Sequence, residues 1–309
     1  MNPTYGGLHE TVTAETGTEA YLELIGRLFR YGEVTHPRGM KTLEFVNATV
    51  VVKRGETAHV LGTTRRPAPK ILATETVHLL GGLSSLRQLD LASNGNFSQF
   101  ADRGRLRGAY GPRVWPQLTH VVRLLKRDPD TRQAYVTVWN GHETAADSKD
   151  TPCTLGFHFL IRGDALHLIT TMRSNDMWLG LPYDWFMFSR LQQAMADALG
   201  LPVGSYVHRV GSLHVYERDA ARLDAIGTQV DAKYPFTAPA FRGYDSLSTV
   251  RTVASEIALR RDDHWQELKP DSGEAWFERF VPKLDLKATY CRRCQYVALG
   301  DHCDECSRG

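Results

Sequence analysis

The run MRSNDMWLGLPYDWFMFSRL, residues 172–191, decides how this chain folds. Its first residues close a strand pattern that begins upstream as ALHLITTMR (165–173), where apolar and polar side chains alternate. Gly180-Leu181-Pro182 then punctuates the chain, and residues 183–199 follow as an apolar helix ending at Gly200. Working outward, GFHFLIR (156–162) precedes the strand and is joined to it by Gly163-Asp164, a two-residue hairpin signal. On the other side SYVHRVGSLHVYE (205–217) returns as a strand.

Further out, residues 18–31 place Leu22, Ile25, Leu28 and Phe29 on one helical face, with Thr18 as the expected cap. The β-branched run 43–54 reads as a strand, 70–82 and 116–126 as helices, and 132–139 as a strand. Strands and helices interleave and one pair is a hairpin, so the expectation is an α/β (α+β) fold with a mixed sheet flanked by helices.

The 309 residues carry 37 basic and 35 acidic side chains, a net charge of +2, which argues against a chain that coats nucleic acid or an anionic membrane. With 42% hydrophobic and 23% charged residues it can build a core. No stretch reaches the roughly 20 apolar residues of a membrane helix. The first residues lack a basic-then-apolar leader pattern, so a cytoplasmic enzyme without membrane or nucleic-acid partners is expected.

Four of the five cysteines fall in the last 19 residues as Cys291-x-x-Cys294 and Cys303-x-x-Cys306. Two CxxC pairs supply the four thiolates of a tetrahedral structural zinc site, so residues 286–309 read as a zinc module appended to a catalytic domain over 1–285. Two disulfides or an unstructured tail are the alternatives, and a reducing compartment disfavours the first.

The fifth cysteine, Cys153, stands alone in Thr151-Pro152-Cys153-Thr154. A lone cysteine is usually a small buried hydrophobe. Here Pro-Cys, then a strand, then Arg173-Ser174-x-Asp176 and Gly180-Leu181-Pro182, then His214-x-Tyr216, resembles the thymidylate synthase family in order and spacing. The resemblance extends upstream through 61–82, 105–115 and 128–140, and so spans about residues 20–220. It implies a thymidylate-synthase-like fold and a homodimer, with methylene-tetrahydrofolate as one-carbon donor and a pyrimidine nucleotide monophosphate as substrate. It makes Cys153 the nucleophile that adds to carbon 6, and Glu75 the carboxyl that relays protons. Arg38, Arg173 and Ser174 become phosphate ligands, with Arg132 reaching the partner's phosphate. His214 and Tyr216 take the sugar hydroxyl, Tyr110 lies near the base, and Asp176 binds the pterin. Singly, each arginine would be a surface charge, Glu75 a helix-surface carboxylate, and His214 and Tyr216 ordinary strand residues. Together the arginines form a dianion clamp.

The most informative departure is Asp184. The family's synthases follow Gly-Leu-Pro-Phe with an asparagine that reads uracil, and this chain has Tyr183-Asp184. A carboxylate facing the uracil carbonyl sets acceptor against acceptor, whereas cytosine offers an amino donor at that edge. The resemblance is therefore greatest to the family's cytidylate (dCMP/CMP) hydroxymethylases, with Asp184 as base reader; the competing reading makes Asp184 a helix cap. Phe97 stands where synthases carry a tryptophan shield, and their apolar closing tail is not recognisable, so water can reach the exocyclic methylene. The expected product is 5-hydroxymethyl-dCMP or -CMP, with the deoxyribose favoured by Arg132, Ser174 and the intact His214-x-Tyr216. Rivals are a methylase of dUMP or dCMP, and a non-catalytic nucleotide-binding relative. Ser212, Gln133, Thr154 and Met172 also depart from the synthase pattern.

Overall fold

The computed structural model describes residues 9–60, 67–144, 148–227, 288–290 and 297–299. A seven-stranded mixed sheet runs in the order β1-β3-β7-β6-β5-β4, with β2 also paired to β3. The strands are β1 (Thr11–Ala14), β2 (Glu33–Thr35), β3 (Thr42–Val52), β4 (Tyr135–Thr137), β5 (Thr154–Arg162), β6 (Ala165–Asp176) and β7 (Val203–Tyr216). Two neighbouring pairs are parallel, β1 with β3 and β6 with β7, and the rest are antiparallel. The hairpin is as expected: Arg162 pairs with Ala165 across Gly163 and Asp164, both left-handed at φ 56° and 61°.

Helices α1 (Gly17–Tyr31), α2 (Pro69–Gly81), α3 (Leu86–Ser93), α4 (Tyr110–Arg127), α5 (Leu181–Leu199) and α6 (Glu217–Gly227) complete the domain. Helix α5 is the core of the molecule. Trp185, Phe186, Phe188, Leu191, Ala194 and Met195 are all sealed from solvent, against β6 and β7 on one side and α2 and α4 on the other. It starts beside Pro182 and stops at Gly200, whose φ of 70° lets its N–H reach back to the carbonyls of Ala196 and Asp197.

Most boundaries shift by one to three residues from the sequence expectation, and two of the differences have a plain physical cause. The cap of α1 is Thr16, which forms a capping box with Glu19; the Thr18 hydroxyl bonds the His59 carbonyl instead. Helix α4 begins at Tyr110, six residues ahead of Pro116. An internal proline removes one helical hydrogen bond, and the apolar stripe Val114, Leu118, Val121, Leu125 outweighs that loss by burying itself.

The feature that positions the site is an interruption crossing the sheet. Gly211 of β7 drops out of both ladders, opposite Asn47 on one side and Arg173 on the other. Asn47 is left-handed at φ 59°, and a Cβ on Gly211 would sit 2.7 Å from the Arg173 carbonyl oxygen. On the next strand a bulge shifts the register between Thr154 and Gly156. Burial changes phase along this line: Tyr206, His208 and Val210 face inward before it, Leu213 and Val215 after it. The side chains of Ser212, His214 and Tyr216 are thereby left partly open to solvent at the end of the sheet.

The four clustered cysteines lie outside the described residues, as does most of the stretch 286–309. A separate two-stranded ladder pairs β8 (Ala288–Tyr290) with β9 (Val297–Leu299). Among the described residues no three His, Cys, Asp or Glu side chains come together as a metal site, and no helix is long and apolar enough to cross a membrane.

Candidate active site

Cys153 sits at the mouth of β5, directly before Thr154 and one strand from Arg173. The two are tied through the backbone, since the Arg173 N–H donates to the Cys153 carbonyl at 2.8 Å. The Arg173 guanidinium then folds over the preceding loop, donating to the carbonyls of Pro152 (3.1 Å) and Thr151 (3.0 Å) and to the Ser174 hydroxyl (3.1 Å). Ser174 in turn places its hydroxyl 3.8 Å from the Cys153 sulfur. Burial pushes the Cys153 thiol up, while the Arg173 charge and the Ser174 contact pull it back down. Asp150 holds the opposite rim, its carboxylate accepting from the Gly108 N–H at 2.7 Å, so the loop entering α4 is pinned to the loop carrying the thiol.

Two carboxyls meet in this pocket, Asp184, whose charge acts on the thiol, and Glu75, whose charged neighbour is Asp184. Glu75 projects from α2, with its Oε2 shut off from solvent and without a hydrogen-bond partner among the described residues. Burial, reinforced by the charge of Asp184, pushes Glu75 up to about 8. Asp184 itself is pushed up to about 7 by burial, with the neighbouring Asn175 side chain acting in the opposite direction. Tyr110, the first residue of α4, closes the group; burial and then the charges of Asp184 and Cys153 hold its hydroxyl protonated, and it hydrogen-bonds Thr154. The pocket thus assembles a nucleophile, a cation beside it, and two carboxyls that can each carry a proton at neutral pH.

Asp184 is not a helix cap. Helix α5 begins at Leu181, the cap position is Gly180, and Asp184 lies in the first turn with its side chain aimed at the pocket. Glu75 likewise is no surface carboxylate.

A second group lines the strand ends. The parallel ladder sets Ser174 beside Ser212 and Asp176 beside His214. His214 and Tyr216 stand edge to face at 5.2 Å, and the Tyr216 hydroxyl accepts from Arg38 at 3.3 Å. Arg38 is held in a left-handed turn, φ 54°, with its side chain exposed. Asp176 accepts from the N–H groups of Trp178 (2.7 Å) and Leu179 (3.1 Å) through one oxygen. Ser212, which replaces an aspartate of the synthase pattern, donates to Glu44 at 2.5 Å, so β3 returns a carboxylate to the place β7 lost one. Among the described residues Arg132 joins neither group: its side chain is exposed on the loop before β4, and its carbonyl is engaged by His158 at 3.0 Å.

Asn175 and His208, both buried, escaped the sequence reading. Polar residues alternating on a strand look alike whether they face solvent or core, and only the period-two run Tyr206, His208, Val210 hinted at the inward face.

A thiol, a flanking arginine, two proton-bearing carboxyls and a polar strand end, mounted on this sheet and this helix, are the groups that covalent nucleophilic chemistry uses. The chain belongs to the thymidylate synthase family, whose model matches residues 19–268. It is 32% identical over 228 residues to the deoxyuridylate hydroxymethyltransferase of Bacillus phage SP01, a match covering 68% of this chain and 59% of that relative's length. The fold is that of a thermostable thymidylate synthase A from Bacillus subtilis, with a TM-score of 0.59 and 23% identity over 70% of this chain and 86% of that one.

Proposed function

We propose that the protein is a cytidylate 5-hydroxymethyltransferase, acting on dCMP in preference to CMP. The observation that carries this reading is Asp184, a carboxyl turned into the pocket beside Cys153 and free of any capping role. At the edge that distinguishes it from uracil, cytosine offers one donor, its amino group, and one acceptor, the adjacent ring nitrogen. A carboxyl sharing a single proton with that nitrogen answers both. The raised value of Asp184, about 7, suits a group that must hold or release that proton at neutral pH.

The chain's own residues then act as follows. The Cys153 thiolate, stabilised by Arg173, adds to carbon 6, and the electron pair displaced from the 5,6 double bond makes carbon 5 nucleophilic. Glu75 holds the proton that must be moved near carbon 5 and the exocyclic group. Arg38, Arg173 and Ser174 take the phosphate, with Arg132 reaching a partner's phosphate in a homodimer; His214 and Tyr216 take the sugar. The partly exposed outer face of the sheet, with Val51, Val207 and Ile169, supports such a dimer. Methylene-tetrahydrofolate supplies, when bound, the one-carbon unit that water completes as a hydroxymethyl group. Asp176, with Trp178 and the 51% exposed Leu179 beside it, fits a ring system carrying both polar edges and apolar faces. The name of the phage relative, and Phe97 in place of a shielding tryptophan, support hydroxymethylation over methylation. The cysteine quartet is read as a structural zinc ligand set on its spacing alone.

A uridylate substrate is the second reading, favoured by that relative's name and by a protonated Asp184, which can donate to the uracil oxygen. Product masses from dCMP, CMP and dUMP, each with methylene-tetrahydrofolate, decide. A hydroxymethyl gain on dCMP above CMP and dUMP is expected; a product from dUMP alone would overturn the cytidylate reading.

A further inference from the structure

Asp184 does not stand alone. Behind it, in the interior between α5 and the sheet, Asn175 of β6 and His208 and Tyr206 of β7 form a buried polar chain that ends beside Thr170. The Asn175 amide nitrogen lies 3.0 Å from His208 Nε2, and His208 Nδ1 lies 2.8 Å from the Tyr206 hydroxyl. Asn175 is 3% exposed and the other two are fully buried, so no water shares their hydrogen bonds by way of the surface.

Burial holds His208 down to about 3, so its ring is neutral and carries one N–H and one bare nitrogen. A neutral imidazole makes the chain directional. With the Asn175 nitrogen toward it, His208 Nε2 accepts from the amide and Nδ1–H donates to the Tyr206 hydroxyl. The amide oxygen of Asn175 is then left buried and without a donor among the described residues. It points at the Gly180 corner: a Cβ built on Gly180 would lie 2.6 Å from this oxygen and 3.4 Å from Asp184 Oδ2. Only a protonated Asp184 can satisfy it. Turned over, the amide donates to an ionised Asp184 and its oxygen accepts from Nε2–H, which requires the other tautomer of His208 and a donating Tyr206.

We propose that Asn175 and His208 are positioning residues for Asp184: the amide of Asn175 turns over with the Asp184 proton and the His208 tautomer follows, so the buried chain sets which hydrogen-bond pattern Asp184 shows to the base. The proposal rests on the reading of Asp184 as the residue that reads the base, and it extends that role to two side chains that touch no substrate.

The groups facing Asp184 are Glu75 from α2, Cys153 from the loop before β5, Tyr110 from α4 and Tyr206 from β7. Of these only Glu75 titrates in the same range, so the first experiment uses the full chain carrying Glu75→Gln. Ring ¹⁵N shifts of His208 are recorded at pH 5 and pH 9. The expected result is a change from the Nδ1–H to the Nε2–H tautomer with no charging of the ring, abolished by a further Asn175→Ala. A single tautomer at both pH values would overturn the relay. The second experiment is kinetic and compares kcat/KM for cytidylate and uridylate. His208→Phe keeps the ring that packs edge-on against Trp185 at 5.9 Å but removes both polar atoms. It should shrink the preference between the two nucleotides about tenfold, the worth of one misdirected hydrogen bond, and His208→Gln should restore most of it. An unchanged ratio in His208→Phe would also overturn the proposal. If the wild type prefers uridylate, the substrate reading fails, and the tautomer change still decides the relay by itself.

Discussion

Glu75 and Asp184 are brought together from two helices so that the charge of one raises the proton affinity of the other. The pair shares a pocket with a thiol and cannot be doubly ionised without cost. A carboxyl whose folded value lies above its ordinary one binds its proton more tightly in the native state. Its contribution to stability is present at low pH and is lost as the pH rises through the folded value. For Glu75 the window runs from 4.5 to about 8, and for Asp184 from 3.8 to about 7. Glu75→Gln should therefore be more stable than wild type at pH 8, by on the order of 1–2 kcal/mol, and the gain should vanish near pH 4. Thermal melts across that range check it, and a gain that grew toward acid pH would contradict the assignment.

Arg173 is the cation that offsets the burial of Cys153, and it also braces the loop through two carbonyls. Arg173→Gln keeps a donor for the loop and removes the charge. The thiol should then ionise at higher pH, and alkylation of the Cys153 peptide by iodoacetamide, followed by mass spectrometry at pH 7.5, should slow several-fold. Cys153→Ala should cost at least about 10⁴-fold in turnover while nucleotide binding persists. Equal alkylation rates in wild type and Arg173→Gln would remove Arg173 from thiol activation.

The reading of Asp184 makes its own prediction. Asp184→Asn replaces a shared proton by a fixed amide and should move the preference from cytidylate toward uridylate by at least about a hundredfold in the ratio of kcat/KM values, since a buried mismatched partner is costly. Competition between dCMP and dUMP in one reaction, read by product mass, measures it directly. A ratio that stays with cytidylate would show that Asp184 does not read the base.

Much of this was legible before the structure, and the limits have physical causes. The hairpin at Gly163-Asp164 and the end of α5 at Gly200 follow from residues that tolerate left-handed backbone, a local property. Cys153, Arg173, Ser174, His214 and Tyr216 stood out through order and spacing, and the fold brings them to adjacent strand ends. The start of α4 was misplaced because Pro116 reads as a boundary, whereas tertiary burial decided otherwise. The meeting of Glu75 with Asp184, and the chain from Asn175 to Tyr206, depend on packing between distant segments. No local pattern encodes such a meeting. The break in the sheet at Gly211 left only a glycine as its trace.

The cysteine quartet can be tested without structure. If Cys291, Cys294, Cys303 and Cys306 bind zinc, the protein purified under reducing conditions should carry one zinc per chain by elemental analysis, and Cys303→Ser should lose it. Because four thiolates in so short a segment leave little core, the melting temperature should fall on metal removal more than the dCMP-to-dUMP ratio shifts. Metal-free protein with four titratable thiols in that segment would dispose of the site.

Gly211 carries the last prediction. It lies where β3, β7 and β6 lose their pairing together, with Arg173 opposite on β6. A methyl group added there meets the Arg173 carbonyl oxygen at 2.7 Å, and further Arg173 backbone atoms at 3.5 and 3.6 Å. Those are main-chain atoms, so relief requires one strand to move against the other, and overpacking of this kind costs about 1–3 kcal/mol. The movement displaces Arg173, whose own N–H anchors Cys153, so the damage should reach the thiol. Gly211→Ala should lower the melting temperature, raise KM for the nucleotide and slow Cys153 alkylation together, whereas a residue that matters for folding alone would change only the first. Differential scanning calorimetry alongside the alkylation assay separates the two, and a destabilised variant with wild-type thiol reactivity would uncouple the sheet break from the active site.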